Sequence, residues 1–214
     1  MKERPIIFND EMVRAILDGR KTQTRRVVKP QPFIDASGNF CWNDSNFGQD
    51  LNGPRIQAIA SPIPSSKTKR VHCPYGQPGD RLWVREAFQG PLWDEDNLYP
   101  DNGYSPEFCV YRADGGPRPE YIDADENLRF GWRSSASMPR WASRITLEIT
   151  NVRVERVQDI SGEDAIAEGI QSASEYGNDA DITDFSQLWN SIYGPDSWAA
   201  NPWVWVIEFR RAGQ

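Results

Sequence analysis

The amino-acid sequence predicts an α+β fold, mainly β: a small, mostly antiparallel β-barrel with short peripheral helices and two long loop insertions. The apolar runs are short and rich in Val, Ile, Leu and aromatic residues, which is typical of strands. The helical patterns are few and short, and no long crossover helix lies between successive strands, which argues against a doubly wound sheet. We interpret residues 1–214 as a single domain, with polar insertions at about 30–75 and 90–140.

Composition and charge limit the function classes. The net charge of -7 argues against long, non-specific nucleic-acid binding, which needs many basic side chains, but it permits one local basic site for a small ligand. No apolar run approaches the roughly 18 residues that a membrane span needs, and the first residues lack the apolar segment of a signal peptide. The three cysteines are widely spaced, which predicts reduced thiols and a cytoplasmic protein.

The first third of the chain predicts a strand, a helix and a glycine turn. Residues 5–8 form a short apolar strand pattern. Asn9 or Asp10 then caps a helix whose apolar residues recur at helical spacing up to Leu17, and Gly19 ends that helix.

Two insertions and a strand follow. Residues 30–75 are rich in Pro, Ser, Asn and Gly and predict little regular structure. Residues 75–88 predict a turn and a strand. The second insertion is strongly acidic, and within it residues 108–113 predict one strand.

The last third predicts two helices between strands. Residues 144–158 carry the longest strand signal, either two strands or one bulged strand. A helix over 159–170 begins at the N-cap candidate Ser161, and a second helix spans 183–194. Residues 201–212 form the closing strand.

The segment from Gly19 to Lys29 carries the most specific chemical signal. It holds five basic side chains and no acid, with Thr24 three residues after Lys21. A lysine that is buried or repelled by neighbouring arginines has a depressed pKa, and as a base it can activate a hydroxyl. The alternative interpretation is a solvated basic loop after a helix.

This segment resembles the signature of the ASCH domain family, a PUA-like β-barrel family with a Gly-x-Lys-x-x-x-x-Arg motif after its first helix. Gly19, Lys21 and Arg26 match that motif. Three later segments resemble family strands in the same order: PGDRLWVRE (78–86), ITLEITNVRVERVQDIS (145–161) and WVWVIEFRR (203–211). The pattern as a whole is similar to larger ASCH proteins of phages and prophages.

The resemblance implies a catalytic set. Some small bacterial members are amidohydrolases that release acetate from N4-acetylcytidine, and their roles fall here on Lys21, Thr24 and Glu168. Lys21 would deprotonate Thr24, which would attack the acetyl carbonyl, and Glu168 would orient the lysine or relay the proton. The alternative for Glu168 is a solvent-facing helix carboxylate.

Further residue types suit a nucleotide ligand, because tryptophan can stack on a base and arginine can bind a phosphate or a base edge. The alternatives are core packing for Trp83, an ion pair between Arg85 and Glu86, and a loop packed across the barrel mouth for 132–144. The predicted ligand-binding set is Gly19, Arg20, Arg25, Arg26, Trp83, Arg85, Glu86, Arg140 and Trp141.

The sequence predicts no metal and no cofactor. His72 and Cys73 are adjacent but lack the spacing of a metal site, and there is no Gly-rich phosphate loop. A single histidine also leaves little room for histidine-based catalysis.

Three function hypotheses remain open. The first is a protein that binds a nucleoside, nucleotide or modified base and acts as an amidohydrolase on N4-acetylcytidine-type nucleosides. The second is a non-catalytic RNA-binding module that contacts single-stranded RNA. The third is a phage accessory protein that acts through a protein partner at the acidic 90–126 segment.

Overall fold

The computed structural model describes residues 1–34, 40–42, 45–48, 72–92, 104–122, 126–171 and 178–213. The chain divides into two compact units. The first comprises Met1–Gly19, Asp80–Glu148 and Arg211–Gln214, and the second comprises Arg20–Gly79 and Ile149–Arg210.

The described helices and strands are, in chain order, β1 (Glu3–Ile7), α1 (Asp10–Leu17), β2 (Gln23–Val27), β3 (Phe33–Ile34), β4 (Phe40–Trp42), β5 (Ser45–Gly48), β6 (Arg81–Arg85), β7 (Phe88–Gln89), β8 (Val110–Tyr111), β9 (Glu120–Ile122), β10 (Leu128–Phe130), β11 (Thr146–Arg156), α2 (Gly162–Ala167), α3 (Asn178–Tyr193) and β12 (Trp203–Arg211).

Helix α1 of the first unit begins and ends where its sequence predicts. Of the two expected caps, Asn9 is the one used: its side-chain oxygen accepts a hydrogen bond from the Met12 amide at 2.8 Å. Gly19 follows the helix with φ 75°, a left-handed conformation that suits glycine, and its N–H donates to the Ile16 carbonyl. Val13 and Ile16 are buried on one side of the helix.

The strands of the first unit alternate between a buried and a solvent-facing side. β1 pairs in parallel with β6, and β6 pairs antiparallel with the beginning of β11. Ile6, Leu82, Val84 and Leu147 point to the buried side, because successive residues of a strand face opposite ways. The parallel β1–β6 pairing departs from the mostly antiparallel prediction and makes the sheet mixed.

The second unit packs helices against one face of its strands. β12 pairs antiparallel with β2, and β11 lies on the other side of β12. α2 and α3 pack against each other. The apolar core of this unit is formed by Val157, Ile160, Ala165, Phe185, Trp189, Val204 and Val206.

The predicted fold class is confirmed at the coarser level: helices and strands are mixed, and strand content exceeds helix content. The described strands pair in open sheets, and none of these sheets closes into a barrel. β11 is one continuous strand of 11 residues rather than two. α3 begins at Asn178, five residues before the predicted start, and extends to Tyr193.

Three predictions of irregular structure were wrong where the chain is described. The basic segment after Gly19 contains β2, which the sequence analysis missed because its central residues are charged. In the first insertion, β3, β4 and β5 form a three-stranded antiparallel sheet, while residues 35–39, 43–44 and 49–71 lie outside the described residues.

The second insertion also holds regular structure. The predicted strand at 108–113 is only the two residues of β8, which pairs with β7, and a 3₁₀ turn follows it. β9 and β10 form an additional hairpin, and residues 93–103 and 123–125 lie outside the described part. None of the described helices is both long and apolar enough to cross a membrane.

The N-cap of α2 provides a test of the second unit. The Ser161 hydroxyl accepts from the Asp164 amide at 3.1 Å, so Ser161→Ala is expected to lower the free energy of unfolding by about 1 kcal/mol. Ser161→Asp restores a capping oxygen and is the matched control. Urea unfolding at neutral pH measures both variants; equal losses in the two would contradict a capping role.

Candidate active site

Lys21 lies between the glycine turn after α1 and the first residue of β2, and its side chain is fully buried. Its ammonium nitrogen Nζ donates to Oε2 of Glu168 at 2.8 Å and to the backbone carbonyl of Glu168 at 2.7 Å. The two residues are 147 positions apart, so tertiary structure alone brings them together.

Glu168 is placed by the end of helix α2. It is the C-cap residue, and its N–H donates to the Asp164 carbonyl at 2.9 Å. Gly169 follows with φ 97°, which turns the chain away from the helix axis. The last carbonyls of a helix lack intrahelical partners, and Lys21 satisfies that of Glu168 with a positive charge, which the helix dipole favours.

Arg25 holds the same carboxylate from a second direction. Its Nη1 donates to Oε1 of Glu168 at 3.2 Å, and its Nη2 contacts Oε1 of Glu155 at 2.5 Å and Oδ2 of Asp164 at 2.8 Å. Its guanidinium also lies 5.9 Å from the centre of the Phe185 ring. Arg25 is thus engaged by carboxylates of the protein itself, and it orients Glu168 toward Lys21.

Arg153 closes the network on the β11 side. It contacts Glu155 at 2.9 Å, Asp164 at 3.1 Å and also Glu208. The network therefore joins three cations, Lys21, Arg25 and Arg153, to four carboxylates, Glu155, Asp164, Glu168 and Glu208, which leaves one net negative charge. The prediction of a solvated basic loop is wrong for Lys21 and Arg25, since both side chains are inaccessible to solvent.

Thr24 is buried on the other face of β2. It pairs with Ile207 of β12, whereas Gln23 and Arg25 point to α2, where Gln23 donates to the Asp164 carbonyl at 2.9 Å. Alternation along the strand therefore separates the side chain of Thr24 from that of Arg25. Lys21 precedes the strand, so this alternation does not fix the direction of its side chain.

Burial has the largest effect on the pKa of Lys21. It lowers the pKa of Lys21, because a charged ammonium loses its hydration inside the protein. The Glu168 carboxylate opposes this effect, and the positive charges of Arg26 and Arg25 add to it. A lysine with a lowered pKa is the amine most able to act as a base near neutral pH.

The remaining basic residues of the motif have separate environments. Arg20 donates to the Gly169 carbonyl at 3.3 Å, just beyond the end of α2. Arg26 is half-buried and pairs across the sheet with Trp205. Burial raises the pKa of the Tyr75 hydroxyl, and the charge of Arg26 opposes that rise. Gly19 belongs to the first unit.

Three predicted ligand-binding residues meet in the first unit. The guanidinium of Arg85 lies 5.6 Å from the centre of the Trp83 ring, and that of Arg140 lies 6.0 Å from it. Arg140 also contacts Glu3 at 3.1 Å, a pair in which both side chains are substantially exposed.

Glu86 is completely buried and is held by Arg144. Nε and Nη2 of Arg144 donate to its two oxygens at 3.0 and 2.9 Å, so the expected ion pair between Arg85 and Glu86 is wrong. Burial raises the pKa of Glu86, and the hydrogen bonds from Arg144 oppose that rise. Trp141 is half-buried and meets Tyr104 edge-on, with ring centres 5.1 Å apart.

The sequence analysis missed the carboxylates that surround Arg25. One signal was available: Asp164 and Glu168 are four residues apart in a helical pattern and therefore share a helix face. A second signal is the alternation of Arg153 and Glu155 with buried valines along β11. Among the described residues, no group of three or more His, Cys, Asp or Glu side chains could hold a metal ion.

Comparison with known proteins found none that is similar to this chain. No protein-family model, curated protein or solved structure matches the chain. Inference about function therefore starts from the geometry of the Lys21–Glu168 pair and from the motif that contains the lysine.

The protonation of Lys21 can be measured directly. The chain has five lysines, at positions 2, 21, 29, 67 and 69, so the side-chain Cε resonances of ¹³C-lysine-labelled protein are few, and Lys21→Met assigns the signal. We expect Lys21 to titrate below the ordinary lysine pKa of about 10.4. Glu168→Gln should lower its pKa further, because it removes the carboxylate that favours the charged form.

Glu163→Gln, which changes an exposed carboxylate of the same helix, is the matched control and should leave the Lys21 titration unchanged. A Lys21 signal that titrates together with those of the exposed lysines, or that moves upward in Glu168→Gln, would contradict the assignment.

Asp164 should make the network sensitive to acid. Burial opposes its ionisation, but the charges of Arg25 and Arg153 and the hydrogen bonds from Arg25 and Gln23 together lower the pKa of Asp164. Its contribution to stability is therefore present above the unfolded-state pKa of about 3.9 and is lost as the pH falls through the lower folded-state value. Asp164→Asn should be less stable than wild type at pH 7, and the difference should shrink at low pH.

Urea unfolding at a series of pH values measures this difference. Asp184→Asn, at an exposed position of α3, should stay within about 0.5 kcal/mol of wild type throughout. A difference between Asp164→Asn and wild type that is constant with pH would show that the aspartate makes no charge-dependent contribution.

Proposed function

We propose that the second unit binds an N-acylated nucleoside and that Lys21 and Glu168 act in hydrolysis of its amide bond. The observation that carries the proposal is the buried contact of 2.8 Å between Nζ of Lys21 and Oε2 of Glu168. A lysine with a lowered pKa beside a fixed carboxylate supplies the base and the orienting group that such a reaction needs. The motif's resemblance to the ASCH family supports the choice of an acylated nucleoside.

The proposed steps conserve protons and bonds. Lys21 takes the proton from the Thr24 hydroxyl as Oγ1 attacks the acyl carbon. The C–N bond then breaks, and the leaving amine receives the proton from Lys21. Water next cleaves the acyl-threonine ester, which releases the carboxylic acid and restores the hydroxyl. Lys21 therefore starts and ends the cycle as a neutral amine and is an ammonium only between the two proton transfers. Glu168 holds its Nζ in place, and the role of Thr24 rests on the resemblance alone.

Burial sets a condition on this mechanism. Lys21, Thr24 and Glu168 are each at most 3% exposed, so a substrate reaches them only if the surrounding chain opens. The resemblance further implies a PUA-like barrel, which we retain as part of the proposal. A non-catalytic nucleoside site at the same residues is the second candidate, and an experiment that separates binding from turnover decides between them.

The test is incubation of the protein with N4-acetylcytidine and chromatographic detection of cytidine. Wild type should convert it, and Lys21→Met, Thr24→Val and Glu168→Gln should each reduce kcat/KM by about a hundredfold or more. Lys29→Met, Thr22→Val and Glu163→Gln are matched controls, because they change exposed residues of the same types in the same segments.

Turnover that survives in the three site variants at the level of the controls would overturn the mechanism. If wild type binds N4-acetylcytidine in calorimetry but does not convert it, the non-catalytic site is correct.

A further inference from the structure

Helix α3 packs against the network that holds Lys21 in place. The ring of its Phe185 lies 5.9 Å from the guanidinium of Arg25, which itself donates to Glu168. α3 also packs against α2, the helix that ends at Glu168. Movement of α3 away from α2 and β2 would therefore open the packing around the Glu168 carboxylate and its partner Lys21.

Apolar packing, rather than hydrogen bonding, attaches α3 to the rest of the second unit. Its described side-chain hydrogen bonds lie within the helix or join Asn190 to the turn that follows, where its Oδ1 accepts from the Ser197 hydroxyl and the Trp198 amide. Among the described residues, none joins α3 to α2 or to a strand. By contrast, the ion pairs of Asp164 and Glu168 with Arg25 tie α2 to β2.

The packed face of α3 contains polar groups without partners. Asp181, Phe185 and Trp189 recur every four residues and share one face of the helix, and each is at most 3% exposed. Oδ1 of Asp181 and Nε1 of Trp189 are buried without a hydrogen-bond partner in the described part of the chain, and so is Nε of Arg25, whose guanidinium lies over Phe185.

These groups favour opening of the helix. A polar group that is buried without a hydrogen bond loses its hydration and gains nothing in return, and the cost is larger for a carboxylate than for a neutral group. Contact with water restores that hydration when the helix moves away. The docked state of α3 is therefore less favoured than the burial of Phe185 and Trp189 alone would make it, and segments of low local stability are the ones that open in a folded protein.

We propose that α3 is a lid over the candidate active site and that the unpartnered carboxylate of Asp181 keeps this lid able to open. The open state admits a substrate to Lys21 and Glu168, which are otherwise buried. The role of the lid rests on the proposed function, whereas the opening itself is a property of the fold and is measured without a substrate.

The experiment compares wild type with Asp181→Leu, which keeps the branching of the side chain but removes its charge, and with Asp181→Ala, which adds no volume. The first readout is hydrogen exchange of the α3 amides by mass spectrometry. Helices derive most of their stability from packing, so an undocked α3 exchanges its amides. Both variants should slow this exchange by about tenfold, because they remove the cost of the buried carboxylate.

The second readout is the rate at which an amine-acylating reagent modifies Lys21, relative to the exposed Lys29. Only the open state presents Lys21 to the reagent, so both Asp181 variants should slow its modification by the same factor of about ten. Loss of a carboxylate lowers the pKa of a nearby amine, which by itself speeds acylation. Slower modification therefore reports closure of the lid.

Asp179→Leu and Asp179→Ala are the matched controls, because Asp179 is an exposed acid in the same first turn of α3. They should leave the exchange of α3 and the modification of Lys21 at wild-type rates.

Melting temperatures below that of wild type in both Asp181 variants would overturn the proposal, since it requires that the carboxylate destabilise the docked helix. Unchanged exchange of α3, or equal slowing in the Asp179 variants, would also overturn it. Slower exchange of α3 with unchanged modification of Lys21 would show that this helix is not the lid of the site. Because no readout involves N4-acetylcytidine, failure here is distinguishable from failure of the hydrolase proposal.

Discussion

The second unit depends on one carboxylate that serves two buried cations. Glu168 accepts from Lys21 through Oε2 and from Arg25 through Oε1, and both cationic side chains are fully inaccessible to solvent. Removing a carboxylate from a buried cation costs several kcal/mol. Loss of Glu168 would take such a partner from both cations, and Arg25 would still keep Glu155 and Asp164. A hydrophobic replacement of the whole network could be as stable, since buried ion pairs are weak evidence for stability. The arrangement is therefore better explained by what it fixes: the position and protonation of a lysine.

Local structure makes this arrangement possible. Helix α2 has only six residues, so the capping oxygen of Ser161 at its start and the Gly169 turn after Glu168 determine where its last carbonyl and its C-cap side chain lie. β2 then presents alternate residues to that helix, which brings Arg25 to the carboxylates and directs Thr24 to the opposite face. The separation of these two neighbours along one strand follows from the period of a β-strand.

Local signals in the sequence were enough to predict part of the fold and of the candidate site. Asn9, Gly19 and Ser161 act through contacts within a few residues, and their roles as caps and stop were predictable. Strand β2 was missed, because consecutive arginines look like a solvated loop until their partners are known. Those partners, Glu155 and Asp164, are brought to Arg25 by the pairing of β2 with β12 and the packing of α2, which no local pattern encodes. The Lys21–Glu168 pairing was expected only through the resemblance to a family motif.

The number of basic residues in a segment does not decide how much positive charge a ligand meets, because the protein's own carboxylates can neutralise them. The segment from Gly19 to Lys29 is the most basic in the sequence, yet the charges of Lys21 and Arg25 are neutralised by the protein's own carboxylates. In β6, Arg81 stands opposite Glu3 of β1 and Glu148 of β11, whereas Arg85 lies over the Trp83 ring. The basic motif is thus suited to holding one lysine in a fixed position rather than to offering free positive charge to a polyanion.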